Sequence, residues 1–392
     1  MSISSVVRNL AHSFFCNAPQ QLAFSLPYVQ QLANLEGGAC SQESDAVLTW
    51  PGEMVGSKVP TNISDKSLRV YFHGCSPLTP YLIELPQGRI YAWQSTVCDK
   101  KGNILMDVSD ALTPKGDRWN TRRHSITLKQ NLPFARKHHG ELVVVSSPYA
   151  NNYYHWLFDT LPRLEAEVCE GERPLFIHQY RAFQRDALEL LGIAKGRIVA
   201  AEKHPHLRAD MLLVPSLPFP PLPAPPSVWR LPVVTSEACA FLRAKLLPSV
   251  KARFGAEWDT VLPRKIFIHR KGARSICNEA AVNRVLSDKG FQLVTLEELS
   301  LGEQIRLFFH AKVVVAVHGA GLANVVFCKL GTRVVELMPS AWAMPCYWSI
   351  SRHVGLDYKR VNVSSQALPG RDASASSSVH VNLEELLAAL VE

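Results

Sequence analysis

The segment Val313–Leu337 combines an apolar run, a glycine-rich turn and a second apolar run. At the turn, His318-Gly319-Ala320-Gly321 precedes a helical pattern that begins near Leu322. Successive backbone N–H groups and the positive end of a helix dipole can face a phosphate there. Glycine allows close approach because it lacks the Cβ that would block the ligand. The pattern indicates a diphosphate site, with a plain strand-to-helix connection as the structural alternative.

Two further residues bear on the kind of nucleotide. Asn324 gives the pattern G-x-G-x-x-N, whereas a dinucleotide-binding fingerprint has Gly or Ala at that third position. Glu336 stands at the end of the next predicted strand, where its carboxylate could accept hydrogen bonds from two ribose hydroxyls. The first observation disfavours NAD, and the second favours a ribose-containing ligand.

A cationic loop follows another predicted strand, Lys265–His269, and contains Arg270, Lys271 and Arg274. In open α/β sheets, ligands bind beyond the carboxyl ends of the strands. Arginine suits bidentate, charge-assisted bonds with phosphate oxygens. Preorganised cations of this kind stabilise the charge on a departing diphosphate without a metal, so we expect no metal or other cofactor. The alternative is that these side chains only keep a loop soluble.

A third group of candidate residues is the pair His155 and Asp159, which are four positions apart on a predicted helix. Residues with this spacing lie on one helix face. An imidazole hydrogen-bonded to a carboxylate is a general-base arrangement, and either member could remove a proton from an acceptor hydroxyl. A structural pair and half of a metal site are the alternatives, but no complementary ligand cluster is visible in the sequence.

Aromatic side chains near this pair would offer flat surfaces on which sugars pack, although isolated aromatic residues often belong to the core. We assign four residues of this segment to the acceptor side: Asn151, Tyr154, Trp156 and Arg163.

The elements that must position these residues follow an alternating pattern. Strands are predicted at 142–145, 174–177, 265–269, 291–295, 312–317 and 332–337, and helices at about 153–168, 183–191, 279–288, 300–310 and from 322. Ser300 and Glu303 have the spacing of a capping box. Alternating strands and helices imply parallel sheets covered on both faces.

A proline-rich stretch at 215–226 divides this pattern, because its seven prolines can neither continue a helix nor enter a central strand. The sequence therefore predicts an α/β protein with two Rossmann-like βαβ domains. The predicted parts are an irregular, β-containing region (1–140), a first, acceptor-side domain (141–214), the linker (215–232), a second, donor domain (233–372) and a Ser-rich stretch with a C-terminal helix (373–392).

Composition narrows the function further. The 392 residues are 47% hydrophobic and 19% charged, as in an ordinary globular protein. The net charge of +8 suits an anionic partner, but the densest basic patch, at residues 118–124, is short, so we do not expect nucleic-acid binding. The nine cysteines include no C-x-x-C pair, and no membrane span or secretory signal is visible. We expect a cytoplasmic protein, either free or peripheral at the inner face of the membrane.

Taken together, the ordered segments resemble glycosyltransferase family 61. That group includes a secretory EGF-domain-specific O-linked N-acetylglucosamine transferase, plant xylan arabinosyl- and xylosyltransferases and bacterial capsular polysaccharide proteins. The matching stretches lie between about 142 and 340 and include Tyr154-His155-Trp156-Leu157-Phe158-Asp159, Leu161-Pro162-Arg163, Ile268-His269-Arg270-Lys271, Ala273-Arg274, Glu303-Gln304-Ile305, His318-Gly319-Ala320-Gly321-Leu322-Ala323-Asn324 and Val335-Glu336-Leu337.

This resemblance implies a GT-B architecture, in which two domains face a cleft, and metal-independent transfer with inversion at the anomeric carbon. It implies that Arg270, Arg274 and His318 to Ala320 hold the donor phosphates, that Glu336 meets the ribose, and that His155 and Asp159 face the acceptor.

We therefore expect a transferase that uses a nucleotide-sugar donor and a glycan or glycolipid acceptor, in the synthesis of a cell-envelope polysaccharide such as a capsule. The alternatives are an NAD(P)-dependent oxidoreductase and a catalytically silent nucleotide- or glycan-binding protein.

Overall fold

The computed structural model describes residues 21–23, 82–105, 108–109, 126, 132–218, 234–270, 272–341, 344–366, 374 and 376–391. Lys271, the basic patch at 118–124 and the predicted linker from residue 219 onwards lie outside this part of the chain. The chain divides into two compact units, the first formed by Met1–Val144 with His204–Leu231 and the second by Val145–Lys203 with Pro232–Glu392. The predicted domain boundaries and the two-domain cleft stay predictions.

The first unit is built on a mixed sheet. Numbered along the whole chain, its strands are β1 (Gln21–Ala23), β2 (Leu82–Pro86), β3 (Arg89–Tyr91), β4 (Thr96–Cys98), β5 (Asn103–Leu105), β6 (Arg136–Val144) and β9 (His206–Pro215). β6 pairs with β9 in parallel, whereas β2 and β3 pair with β9 in antiparallel orientation. In its core, the ring of Tyr91 stacks on that of His206 with centroids 3.8 Å apart.

The second unit alternates strands and helices. Its strands are β7 (Leu175–Ile177), β8 (Ile198–Ala200), β10 (Lys265–Ile268), β11 (Gln292–Val294), β12 (Val313–Val317), β13 (Arg333–Pro339), β14 (Asp357–Ser365) and β15 (Val379–His380). Its helices are α1 (Tyr153–His155), α2 (Ala182–Leu190), α3 (Ser236–Phe254), α4 (Glu279–Asp288), α5 (Leu301–His310), α6 (Cys346–Val354) and α7 (Leu383–Leu390). The prediction of an α/β protein is confirmed.

The larger sheet of the second unit has the order β11-β10-β12-β13-β14-β15, in which only the pair β14 and β15 is antiparallel. The chain leaves β10 towards β11 on one side and returns to β12 on the other side. The strand order therefore reverses between β10 and β12. In doubly wound sheets, the crevice beyond the carboxyl ends of such a strand pair is the usual ligand site.

Hydrophobic pattern explains why these strands form. β12 reads Val-Val-Val-Ala-Val and its residues from Val314 onwards are buried, as expected for a parallel strand covered on both faces. Each fully buried valine or leucine contributes about 1.5–3 kcal/mol relative to an exposed one. The predicted strands at 265–269, 312–317 and 332–337 are confirmed. The predicted capping box is also confirmed, because Ser300 and Glu303 exchange side-chain to backbone hydrogen bonds at the start of α5.

The predicted helical segment at about 153–168 is present, but it is not a regular α-helix. The segment begins as α1, continues as a π-helical turn at Trp156–Thr160 and ends as a 3-10 helix at Leu161–Glu165. Pro162 lies just after the π-helical turn, where it cannot donate a backbone hydrogen bond to the preceding turn. Single π-helical turns of this kind occur frequently at functional sites.

The C-terminal segment packs on the second unit. Val379, Val381 and Leu386 are fully buried and join the same hydrophobic cluster as Phe267 and Val315 of the central strands. Among the described residues, no helix is long and apolar enough to span a bilayer. The described cysteines are free thiols, of which only Cys277 is exposed.

Candidate functional site

Arg270 and Arg274 converge on the strand pair where the order of the sheet reverses. Both lie in the loop after β10, and both direct a guanidinium towards the backbone carbonyl of His318, which follows β12. Arg274 Nη1 donates to this oxygen at 2.9 Å, and Arg270 Nη1 at 3.4 Å. The predicted juxtaposition of the two loops is therefore present in the structure.

Within the described part of the chain, neither arginine of this pair forms a hydrogen bond with a carboxylate, and both side chains are half-buried. Burial lowers the pKa of both groups, and for Arg270 the neighbouring charge of Arg274 lowers it further. The Nε of Arg274 is buried without a hydrogen-bond partner in the described part of the chain. A bound anion would compensate both the desolvation and the mutual repulsion of the two guanidinium groups.

The backbone at Arg274 is held in an unusual conformation. Its φ of 62° is in the left-handed region, which residues other than glycine rarely adopt. Its N–H donates to the carbonyl of Ser376 at 3.2 Å, and the side chains of Ser275 and Ser378 are 3.1 Å apart. Residues 376–381 of the C-terminal segment thus fix the loop that carries this arginine.

The guanidinium of Arg270 lies so close to residue 319 that only glycine fits at this position. A Cβ at this position would lie 1.5 Å from Nη1 and 2.7 Å from Cζ of Arg270. The requirement comes from space rather than from backbone conformation, because the φ of Gly319 is an extended 175°. The next two residues of the turn, Ala320 and Gly321, are half-exposed at the start of a 3-10 helix, Ala320–Phe327. The first N–H groups of a helix have no intrahelical partner and can bind an anion.

His318 is oriented by a buried carboxylate. Its Nδ1 lies 2.5 Å from Oε1 of Glu336, and the hydroxyl of Tyr358 on β14 donates to Oε2 of Glu336 at 2.6 Å. Glu336 is fully buried. Each of its two oxygens thus has a protein partner, and its predicted contact with a ribose stays a prediction. The position fits a residue that holds the imidazole of His318 from behind.

Asn324, which the sequence predicts among the donor-binding residues, is also fully buried. Its Nδ2 donates to Oε1 of Gln304 at 2.9 Å and to the carbonyl of Gly321 at 3.1 Å. Its Oδ1 accepts from the hydroxyl of Tyr153 at 2.6 Å. The asparagine therefore joins the glycine-rich turn to α5 and to the start of α1, and it is not presented to a ligand.

The predicted pair of His155 and Asp159 is formed. Nδ1 of His155 lies 2.6 Å from Oδ2 of Asp159, and the side chains are 31% and 14% exposed. Asn152 caps the start of this segment, because its side chain accepts from the N–H of Tyr154 at 2.9 Å. The more exposed imidazole is thus available to a ligand, while the carboxylate lies behind it.

A chain of aromatic rings connects this pair with His318. The ring of Tyr154 lies edge-on to His155, with centroids 5.2 Å apart, and to Tyr347, at 6.0 Å. The ring of Tyr347 lies 5.1 Å from that of His318. Burial raises the pKa of Tyr154 and of Tyr347, so both hydroxyls stay protonated near neutral pH. The two halves of the site are therefore packed against each other within one unit.

Three of the four residues predicted on the acceptor side are buried. Trp156 is fully buried, and Arg163 is 3% exposed with Nη1 donating to the carbonyls of Val145 (3.1 Å) and Ser146 (2.6 Å). Tyr154 is 7% exposed and serves the ring contacts above. The fourth residue, Asn151, is exposed next to the capping Asn152. The acceptor-side role predicted for these residues stays a prediction.

Sequence reasoning missed Tyr347 and Tyr358. Tyr347 lies on α6 and Tyr358 on β14, both beyond the last motif that could be read from spacing. An aromatic residue on an ordinary apolar helix or strand carries no sign of what it contacts. A buried carboxylate on β13 was the available clue, because such a group needs hydrogen-bond partners from neighbouring strands.

Known proteins match the part of the chain that contains most of these residues. The Glycosyltransferase 61 family model matches residues 153–335. Xylan glycosyltransferase MUCI21 of Arabidopsis thaliana is 29% identical over 113 residues, which cover 27% of this chain and 23% of the relative. Beta-1,2-xylosyltransferase RCN11 of Oryza sativa subsp. japonica is 32% identical over 82 residues, which cover 21% of this chain and 14% of the relative. The chain thus matches less than a quarter of the length of either relative.

Proposed function

We propose that residues 153–335, which match the Glycosyltransferase 61 family model, form a domain of that family and that this chain transfers a sugar from a nucleotide-sugar donor to a glycan hydroxyl. The observation that carries the proposal is the convergence of Arg270 and Arg274 on the carbonyl of His318, at the point where the strand order reverses. Two half-buried cations facing a glycine-rich turn suit the diphosphate of such a donor.

During transfer, the bond between the anomeric carbon and the phosphate oxygen breaks, and the nucleoside diphosphate leaves with the bonding electron pair. Arg270 and Arg274 stabilise the negative charge that develops on the leaving oxygen. The half-exposed turn at Ala320 and Gly321 adds backbone N–H groups to the same end of the ligand. These groups supply the positive charge that a divalent cation would otherwise provide, so we propose metal-independent transfer.

His318 acts beside this anion. A carboxylate accepts hydrogen bonds only, so the proton in the bond between His318 and Glu336 belongs to Nδ1 of the histidine. We propose that Glu336 and Tyr358 are positioning residues, which hold His318 in the orientation that supports the diphosphate.

His155 is the base in this proposal, and Asp159 orients it. Nδ1 of His155 donates to the carboxylate of Asp159, which leaves the lone pair of the neutral imidazole on Nε2. Nε2 removes the proton of the acceptor hydroxyl as its oxygen forms a bond with the anomeric carbon. Attack on the face opposite the leaving diphosphate inverts the configuration at that carbon.

The names of the relatives suggest the class of sugar. One is named a xylan glycosyltransferase and the other a beta-1,2-xylosyltransferase. We propose a pentosyl donor and a glycan acceptor, with xylose as the first sugar to test. Action in the cytoplasm on a cell-envelope polysaccharide or glycolipid precursor, peripheral to a membrane, remains part of the proposal.

A ligand panel tests the proposed function. Thermal unfolding is measured with UDP, GDP, ADP, CMP and NAD, each with and without magnesium, since a ligand that binds the native state raises the Tm. We expect a nucleoside diphosphate to raise the Tm without magnesium, and release of the same nucleotide from its sugar conjugate on addition of a glycan acceptor. Stabilisation by NAD alone would contradict the proposal. Binding without consumption of any sugar donor would support a silent binding protein instead.

A further inference from the structure

Tyr149 lies beside His155 and has a strained backbone conformation. It has no role in the reaction proposed above. Among the described residues of the second unit, the non-glycine residues with positive φ are Tyr149 (63°) and Arg274 (62°). Arg274 contacts the carbonyl of His318 on the phosphate side of the site. Tyr149 lies on the other side, with its ring centroid 5.4 Å from that of His155 and the two planes tilted by 40°.

The turn around Tyr149 leads directly into the His155 segment. The N–H of Ala150 donates to the carbonyl of Ser147 at 3.3 Å, and the N–H of Asn152 donates to the carbonyl of Tyr149 at 2.8 Å. Asn152 then caps α1, which ends at His155. The left-handed conformation of Tyr149 is therefore part of the turn that places its ring next to the imidazole.

Glycine or asparagine would adopt this conformation with less strain than a bulky aromatic residue. Strained residues of this kind persist where the surrounding structure fixes them, and they cluster at ligand sites. Tyr149 is half-buried, and the side chain of the neighbouring His155 is 31% exposed. A flat apolar surface next to a proton acceptor suits a ligand with an apolar ring face and hydroxyl groups at its edge.

We propose that Tyr149 is the platform for the acceptor sugar, a pyranose of the xylose type, and that it directs one hydroxyl of this sugar to Nε2 of His155. This inference rests on the proposed function, because it takes His155 as the base. Tyr149 lies outside the segment 153–335 that matches the family model. Its proposed role is in selecting the acceptor and not in the chemistry of the donor.

The test is a binding titration that needs no turnover. Methyl β-D-xylopyranoside is added at millimolar concentrations to the full chain carrying isotope-labelled histidine, and the NMR signal of His155 is identified by its absence from His155→Gln. The variants are Tyr149→Gly and Tyr149→Phe, with Tyr180→Ala as control, since Tyr180 is a 63% exposed tyrosine of the same unit. The Tm of each variant is measured with and without UDP.

We expect the xyloside to shift the His155 signal in the wild type, in Tyr149→Phe and in Tyr180→Ala. Tyr149→Gly should weaken this binding at least about fivefold, since an aromatic contact of this kind is worth about one kcal/mol. Absence of a His155 shift in the wild type, or wild-type affinity in Tyr149→Gly, would overturn the platform. Failure of UDP to bind the wild type would instead count against the proposed donor site.

Discussion

The hydroxyl of Tyr153 donates a hydrogen bond of 2.6 Å to Oδ1 of Asn324, a residue 171 positions later in the chain. Tyr153 begins the helical segment that carries His155, and Asn324 lies in the 3-10 helix that follows the glycine-rich turn. This single bond therefore joins the segment with the proposed base to the segment with the proposed diphosphate site.

Removal of this bond should destabilise the protein. Tyr153→Phe leaves Oδ1 of the fully buried Asn324 without its partner, which costs about 1–3 kcal/mol of unfolding free energy. Urea denaturation of the variant measures the change. The matched control is Tyr180→Phe at the exposed tyrosine, which should change stability by less than about 0.5 kcal/mol. Equal stability of the two variants would show that the bond contributes nothing.

Gly319→Ala should act on the ligand more than on the fold. The new methyl group would occupy the place of Nη1 of Arg270, so this flexible guanidinium must move away from the turn. We expect nucleoside diphosphate affinity to fall about tenfold, as for loss of one charge-assisted hydrogen bond. Gly196→Ala is the control, because no atom lies within 4 Å of its added Cβ. Unchanged affinity in Gly319→Ala would mean that Arg270 does not need its observed position.

If His155 and Asp159 act in the transfer step, a substitution of Asp159 should lower the transfer rate without changing donor binding. Asp159→Asn keeps the shape of the side chain but removes the charge that favours protonation of His155 during the reaction. Donor binding should stay within about twofold of wild type, while the transfer rate falls at least about a hundredfold, the usual contribution of a general base. Initial rates at saturating donor measure this. A wild-type transfer rate in Asp159→Asn would show that this pair takes no part in the reaction.

Acid should destabilise the protein through His206. Burial lowers the pKa of this imidazole in the folded protein to about 4, compared with its ordinary value of 6.5, and its Nε2 is buried without a partner in the described residues. Between these pH values the unfolded chain binds the proton and the folded chain does not. Stability is therefore complete above about pH 6.5 and falls as the pH drops towards 4, by about 3 kcal/mol.

The variant His206→Phe tests this source of pH dependence. Phenylalanine keeps an aromatic ring beside Tyr91 but cannot titrate. Urea denaturation between pH 7 and about pH 4 should show a shallower loss of stability in the variant than in the wild type. The same slope in both proteins would assign the acid sensitivity to other groups.

Much of the fold could be predicted because local pattern decided it. The buried run Val313–Val317 forms a strand, and Ser300 with Glu303 starts a helix, as their residues alone predict. The convergence of Arg270 and Arg274 on the glycine-rich turn also followed from strand order, since carboxyl ends of parallel strands share one edge.

The rest depends on contacts between residues that are distant in the sequence. The burial of Glu336 requires Tyr358 from a strand beyond the last motif, and the burial of Asn324 requires Tyr153 and Gln304. The burial of Trp156 and Arg163 could not be predicted from the sequence. The segment changes from α to π and 3-10 geometry, and this change directs both side chains into the core.

The most direct test of the central claim is the affinity of Arg274→Ala for the nucleoside diphosphate that stabilises the wild type most. Isothermal titration compares it with the wild type and with Arg284→Ala, an exposed arginine on α4. If Arg274 holds the diphosphate, its removal weakens binding at least about tenfold without magnesium, while Arg284→Ala binds as the wild type does. Wild-type affinity in a folded Arg274→Ala variant would contradict the assignment of this strand crossover as the donor site.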